Sequence, residues 1–312
     1  MDLLRRVPQQ QEVFNLGGRT LTPDLVQELL RDSTVQRQGF ALVQNDASWW
    51  HSFWRDTPPE RILTSPEVNA EGLQVLRDTQ KAVPKEAIRE QVRQVLASRV
   101  PPDPAQLDWN GDYYVVSNTG GVGLYSHDME TLFSTRIKGV TRPWLYIHGP
   151  GTSARSADHT EDLHLPSIHS GIAGTGFKIW GVASPSGCES VVSAIRKEYG
   201  VSLDPDESMF RKQYYVTPEM IYKHSLPYNF MKLSSNMTVI VAPKARHHVY
   251  TAGSYLSCSM NLVTPDWVNW HNACIPQRLQ RTCGIETSGV TKAFWTTPLG
   301  QQQQQRRPIV LR

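Results

Sequence analysis

The sequence predicts a mainly β protein with added helix: a sandwich or barrel over about residues 106–270, preceded by a helical or mixed segment at 1–105 and followed by a short extension at 271–312. Three observations carry that prediction. From about residue 110 the chain breaks into short β-branched and aromatic runs bounded by Gly, Pro, Ser and Asn, the pattern of strands joined by turns. Before that point apolar residues recur at helical spacing. The composition, 39% hydrophobic and 20% charged with nine tryptophans, supplies a sizeable core and excludes wholesale disorder.

The elements follow in order. Thr22-Pro23 reads as a helix N-cap with proline at the first helical position, and Leu25, Val26, Leu29 and Leu30 form one apolar face. "GFALVQ" (Gly39–Gln44) reads as a strand. "WWHSFW" (Trp49–Trp54) is expected to pack in a core or between domains. A second helix follows Pro84, with Ile88, Val92, Val95 and Leu96 on one face and charges on the solvated side. "VPPDP" (Val100–Pro104) ends it and reads as a linker. Five strands are then legible: "DYYVVSN", "PWLYIHG", "FKIWGVA", "MTVIVAP" and "YLSCSMNLV". Helices at "SVVSAIRKEYG" (Ser190–Gly200), ending on glycine, and "TPEMIYKHS" (Thr217–Ser225) interrupt them. The Gln-rich tail "GQQQQQRRPIVLR" is expected to be disordered.

A net charge of +3 is too weak for a dedicated polyanion grip, and no direct nucleic-acid motif is present. Cys188, Cys258, Cys274 and Cys283 form no C-x-x-C pair, which points to a reducing compartment rather than a disulfide framework. The opening "MDLLRRVPQQQEVF" lacks the apolar run of a signal peptide, and no stretch approaches the length of a membrane span. A soluble, intracellular protein with no membrane partner is expected.

Chemistry concentrates in "HTEDLHLPSIHSGIAGTGFKIW" (His159–Trp180). His159 and Glu161 are two apart, so on an extended strand both side chains point to one face. Two histidines and one carboxylate on one face of a metal, with other positions open, is the arrangement of non-haem Fe(II) oxygenases. The distal "APKARHHVY" offers the second histidine. Lys178 lies among apolar residues in "GFKIW", and a lysine on a buried strand needs an anionic partner, which a dicarboxylate co-substrate would supply. Jelly-roll barrels of cupin type hold such ligands at the barrel mouth.

From about Trp109 to Val268 the sequence resembles the JmjC (Jumonji C) family of Fe(II)- and 2-oxoglutarate-dependent oxygenases, closest to the histone lysine demethylase branch. "HTEDLHLPSI" is similar to the family's H-T/V-E-D-x-x-x-x-S-I segment and "KIWGV" to its K-x-W-Y strand. From "TPEMIYKHSLPYNFMKL" to "APKARHHVYTAGSYLSCSMNLVTPDWV" the chain follows the family without an evident gap. The resemblance implies a double-stranded β-helix, a cupin-like jelly roll. It implies that His159, Glu161 and His247 are the catalytic iron ligands, with His248 on the opposite face of its strand and Asp162 turned away from the metal. It implies that Lys178 pairs with the distal carboxylate of 2-oxoglutarate and that Trp180 packs beneath it. Tyr146 falls where the family has an aromatic ring at the methyl-lysine pocket, and a ring face attracts a methylammonium. Ser259 and Asn261 match polar positions around the reacting centre.

Departures are also legible. His169 stands where the family has an asparagine on the co-substrate. The tyrosine that shares the distal carboxylate has no clean match: Thr119 aligns by spacing, and Tyr114 is the nearby alternative. "HSGIAGTGFK" is one residue longer than its counterpart. Asn236-Met237 replaces a Gly-Glu turn. The family's zinc positions are not reproduced, so zinc is not expected, and no JmjN segment is visible. The implied activity is removal of methyl groups from histone lysines by N-methyl hydroxylation. The alternatives are hydroxylation of a non-histone protein and a silent chromatin-binding module. The implied partners are a histone tail or other protein substrate and a chromatin complex, in the nucleus.

Overall fold

The computed structural model describes residues 12–16, 21, 23–45, 112–115, 140, 144–148, 153–202, 214–253 and 255–268. "WWHSFW", the helix after Pro84, the "VPPDP" linker, the Thr22 cap, Thr119, Cys274, Cys283 and the Gln-rich tail lie outside them. Among the described residues no helix is long and apolar enough to cross a membrane.

The first helix, α1 (Pro23–Arg31), buries Leu25, Val26, Leu29 and Leu30, the face its spacing predicts. Asp32 then breaks the helix. Its extended backbone lets the carboxylate accept from the Thr34 and Val35 amides, capping α2 (Ser33–Gln38). Gly39 closes α2 at φ 87°, and a Cβ there would lie 3.1 Å from the Ser184 Cα, so glycine answers both demands. The chain passes directly into β1 (Phe40–Gln44).

Nine further strands are β2 (Asp112–Val115), β3 (Trp144–His148), β4 (Ser153–Arg155), β5 (Ser167–Gly174), β6 (Phe177–Ala183), β7 (Tyr228–Leu233), β8 (Met237–Val241), β9 (Arg246–Ala252) and β10 (Tyr255–Asn261). They form a six-stranded sheet, β1-β8-β5-β10-β3-β2, and a four-stranded sheet, β4-β9-β6-β7. Their ladders are antiparallel. The amino-terminal segment thus supplies an edge strand of the larger sheet. Two facing antiparallel sheets of this kind make the expected jelly roll.

Period-two alternation on β6 divides the packing. Trp180 and Val182 join the large core with Met231 and Leu233 of β7. Ile179 and Ala183 point the other way, into a second core with Tyr228, Phe230 and Tyr250. Two helices cover that outer face: α3 (Cys188–Tyr199), through Val191, Ala194 and Ile195, and α4 (Pro218–Lys223), through Met220 and Ile221. Each such aliphatic side chain contributes about 1.5–3 kcal/mol on burial. Gly200 ends α3 at φ 63°, and Thr217 caps α4 by accepting from the Met220 amide at 3.2 Å.

Two departures noted in the sequence have structural answers. Leu256 pairs with Ala173 and Ser257 with Gly171, so Ile172 is the extra residue of a β-bulge, and the longer segment is absorbed there. Asn236 takes φ 63° in the β7–β8 turn, a conformation asparagine tolerates. Its amide donates to the Gly171 carbonyl at 3.1 Å.

Candidate active site

His159 and His247 come together through backbone pairing. The two residues exchange N–H···O bonds of 3.0 and 2.8 Å, and their rings stand 4.4 Å apart. Each ring is oriented from behind: His159 Nδ1 lies 2.8 Å from the Ala157 carbonyl and His247 Nδ1 3.3 Å from the Ala245 carbonyl. A carbonyl only accepts, so Nδ1 carries the proton and Nε2 the lone pair, the tautomer a metal-binding imidazole needs. Glu161 Oε1 stands 3.5 Å from His247 Nε2. Ligand atoms about 2.1 Å from one ion are about 3.0–3.4 Å apart when its bond angles are about 90–109°. Among the described residues, no three His, Cys, Asp or Glu side chains are placed so that together they could hold a metal ion. His159 and Glu161 each lie beside His247, and Glu161 is half-buried.

The turn after Glu161 is strained. Leu163 and His164 take φ 52° and 55° in succession, each costing on the order of 1–2 kcal/mol. Trp267 Nε1 donates to the Leu163 carbonyl at 3.1 Å and helps hold the turn. Asp162 is exposed.

On the opposite face, the residues immediately before the two histidines form an ion pair. Arg246 Nε donates to Asp158 Oδ2 at 2.8 Å, with both side chains at most 1% exposed. The Tyr228 hydroxyl donates to the same carboxylate at 2.7 and 3.0 Å. Burial alone would raise the Asp158 carboxyl, but Arg246, followed by His248, holds it below the ordinary value. His248 lies on this outer face, its ring 4.8 Å from Tyr228 and over Gly181.

The inner face continues away from the histidine pair. Trp180 stacks on His247 at 5.4 Å and meets His169 edge-on at 5.1 Å. The Tyr146 ring lies 5.2 Å from His169, and its hydroxyl accepts from Ser259 at 3.2 Å. Lys178 is 4% exposed, with Nζ 4.6 Å from the centre of the Tyr146 ring. Burial pushes this ammonium down to about 7, and among the described residues no carboxylate acts against it. Polar atoms without a partner line the same wall: His169 Nε2, Asn261 Nδ2, Ser257 Oγ and both nitrogens of His148. In the sequence His148 reads as a surface or supporting residue rather than a ligand, and Ser257 carries no reading. Strand alternation from Tyr146 and Ser259 is the signal that would have found them.

Of the remaining expected residues, Tyr114 pairs in register with Leu145, while Tyr113 pairs with Tyr146. Cys258 is buried in the large core, where burial pushes its thiol well up.

An antiparallel jelly roll whose interior carries imidazoles, a half-buried carboxylate and a buried ammonium is cupin-like. Residues 144–262 match the profile of the family described as "JmjC domain, hydroxylase". It is also 26% identical over 154 residues to "Probable lysine-specific demethylase 4F" of Homo sapiens, an alignment covering 49% of this chain and 24% of that protein. The chain therefore spans about a quarter of the length of the curated relative it matches. JmjC domains generally use Fe(II) and 2-oxoglutarate.

Proposed function

We propose that this protein is an Fe(II)- and 2-oxoglutarate-dependent oxygenase acting on a protein substrate, with N-methyl-lysine of a histone tail as the first candidate. The carrying observation is the paired His159 and His247 with Glu161 beside them, on the same inner face as a buried Lys178 that meets no carboxylate among the described residues. The donor set fits a divalent ion with open positions, and the lone ammonium fits the far end of a dicarboxylate.

In this reading His159, Glu161 and His247 hold the metal, and their carbonyl-bound Nδ1 atoms fix both rings in the ligating tautomer. Lys178 neutralises the distal carboxylate of the co-substrate and sets its reach. Trp180 walls the pocket between His247 and His169 and excludes water. His169 and Asn261 present their unpartnered nitrogens, and Ser259 orients the Tyr146 hydroxyl. When bound, the iron and 2-oxoglutarate supply dioxygen activation and oxidation of a substrate C–H bond. If that carbon is an N-methyl group, the hydroxylated product releases formaldehyde and leaves lysine with one methyl fewer. A histone substrate would carry with it a nuclear location and a chromatin complex as partner.

One observation favours a second reading, side-chain hydroxylation of another protein. The Tyr146 ring, expected to receive a methylammonium, is already engaged by the ammonium of Lys178. Incubation with Fe(II), 2-oxoglutarate and methylated histone peptides separates the two. Formaldehyde with loss of a methyl mass supports demethylation, and a stable gain of one oxygen on a protein substrate supports hydroxylation. Succinate formation is expected to vanish in His159→Ala. Absence of succinate from the intact protein with every substrate tried would sink the oxygenase reading and favour a binding module.

A further inference from the structure

The far end of the inner face holds a residue with no role so far. His148 is 3% exposed, and among the described residues neither ring nitrogen has a hydrogen-bond partner. A neutral imidazole always carries one N–H, so a buried donor stands here without an acceptor. Native interiors rarely leave such a group unmet unless a ligand meets it. His148 lies two residues after Tyr146 on β3 and shares its face; that ring in turn carries the Lys178 ammonium at 4.6 Å. Burial first, then the nearby Lys178 charge, holds the His148 imidazole well below its ordinary value. The ring is therefore neutral at physiological pH and adds a donor without a second charge.

The inner face has two ends. Val182 pairs in register with His247, and Lys178 lies further along the same strand, opposite Thr251. About 13 Å of strand separates Val182 from Lys178 at about 3.3 Å per residue. An extended lysine side chain and a five-carbon diacid together cover that distance. His169 stands between the two ends, its ring 5.2 Å from Tyr146 and 5.1 Å from Trp180, which stacks on His247.

We propose that His148 is the second donor at the distal end, where its ring N–H and the Lys178 ammonium together hold the far carboxylate of the dicarboxylic co-substrate. The sequence offered Thr119 or Tyr114 for that place. The proposal rests on the oxygenase reading above and assigns this chain its own residue for co-substrate selection. One carboxylate satisfies both groups: one oxygen takes the ammonium, the other the imidazole N–H, and its charge offsets the buried cation.

The test is calorimetric titration of the full chain with 2-oxoglutarate and with 2-oxopentanoate, which has a methyl group in place of the far carboxylate, in the presence of Mn(II). His148→Leu is expected to weaken 2-oxoglutarate about ten- to a hundredfold, the worth of a hydrogen bond to a charged group. It should leave the weaker 2-oxopentanoate within about twofold, and His148→Gln, which keeps an N–H donor, should recover part of the loss. Equal weakening of both acids, or of neither, overturns the proposal. In the intact protein the His148 ring signals in NMR, assigned against His148→Gln, should move with 2-oxoglutarate and stay in place with 2-oxopentanoate. Their indifference to both acids overturns it without requiring His148→Leu to fold. Mn(II) binding is read separately by electron paramagnetic resonance. If the metal and 2-oxoglutarate bind but His148 is indifferent, this proposal alone falls. If Mn(II) does not bind, or binds as well to His159→Ala, the oxygenase reading falls with it.

Discussion

Replacing Arg246 with methionine removes the cation that neutralises a fully buried carboxylate while keeping most of the side-chain volume. The pair is 2.8 Å apart with both partners at most 1% exposed. At the effective dielectric of protein sites, charges about 4 Å apart interact by about 4 kcal/mol. Breaking one partner of a buried pair costs about 3–5 kcal/mol, because the other charge is left uncompensated. Tyr228 still donates to Asp158 in the variant, which places the expectation at the lower end, about 3 kcal/mol, or roughly 6–12 °C in the unfolding midpoint. The pH dependence gives a second, sharper readout. In the intact protein Asp158 is held below its ordinary value, so its contribution is present above the unfolded-state pKa of about 3.9 and is lost as pH falls through the folded value. Without Arg246 burial prevails and the folded carboxyl rises above the unfolded one. Its stabilising influence is then fullest below the unfolded pKa and lost as pH rises. The deficit of Arg246→Met should therefore shrink as pH falls from 7 toward 4. Urea unfolding followed by circular dichroism at a series of pH values measures both. A deficit below about 1 kcal/mol, or one that grows on acidification, would refute the reasoning.

Three further outcomes are expected. Gly181→Ala would put a Cβ 2.5 Å from His248 Nε2 and 2.9 Å from the Phe230 ring; overpacking of about 1–3 kcal/mol should lower the urea midpoint, and an unchanged midpoint would refute the contact. Lys178, pushed down to about 7 by burial, binds fewer protons folded than unfolded between about pH 7 and 10.4, so its presence makes stability rise with pH by up to about 1.4 kcal/mol per unit there. His148 and His169 are held well below their ordinary values and do not titrate in that window, so the slope of the intact protein minus that of Lys178→Met reports the lysine, and identical slopes would contradict its burial. Asp32→Ala removes the acceptor of the Thr34 and Val35 amides and should cost about 1 kcal/mol, read as the same shift in thermal and chemical unfolding.

The sequence was most legible where side-chain type and burial agree. β6, β8 and β10 are β-branched, aromatic or apolar, and their runs stand out. β5 did not, because "SIHSGIAG" turns Ser, His and Gly toward a polar pocket, and β7 hides in "YNFMKL", where the lysine interrupts the alternation. β5 holds its place between β8 and β10, and β7 through its single ladder with β6, so tertiary context overrides weak local preference. His159, Glu161, His247 and Lys178 could be named because spacing and motif mark them. His148 could not, since a single histidine in "PWLYIHG" carries no local sign that the strand beneath it faces a lysine from a distant part of the chain. The Asp158–Arg246 pair was equally hidden: each is an ordinary charged residue until β9 folds back onto the segment before His159.

That fold-back explains how a polar interior is held open in a jelly roll. Apolar contacts alone fix strand register weakly where one face is lined by Ser, His, Asn and Lys, since a slip there buries little less hydrocarbon. Here register is set from the other side. Because alternate side chains point to opposite faces, a buried ion pair at the residues just before His159 and His247 sits behind the two rings and does not enter the pocket. A one-residue slip of β9 would pull Arg246 from Asp158, bring His248 inward in place of His247, and press its neighbours against Gly181. Each of those changes costs more than the polar lining could return. The outer face therefore specifies the geometry and leaves the inner face free to carry its polar groups.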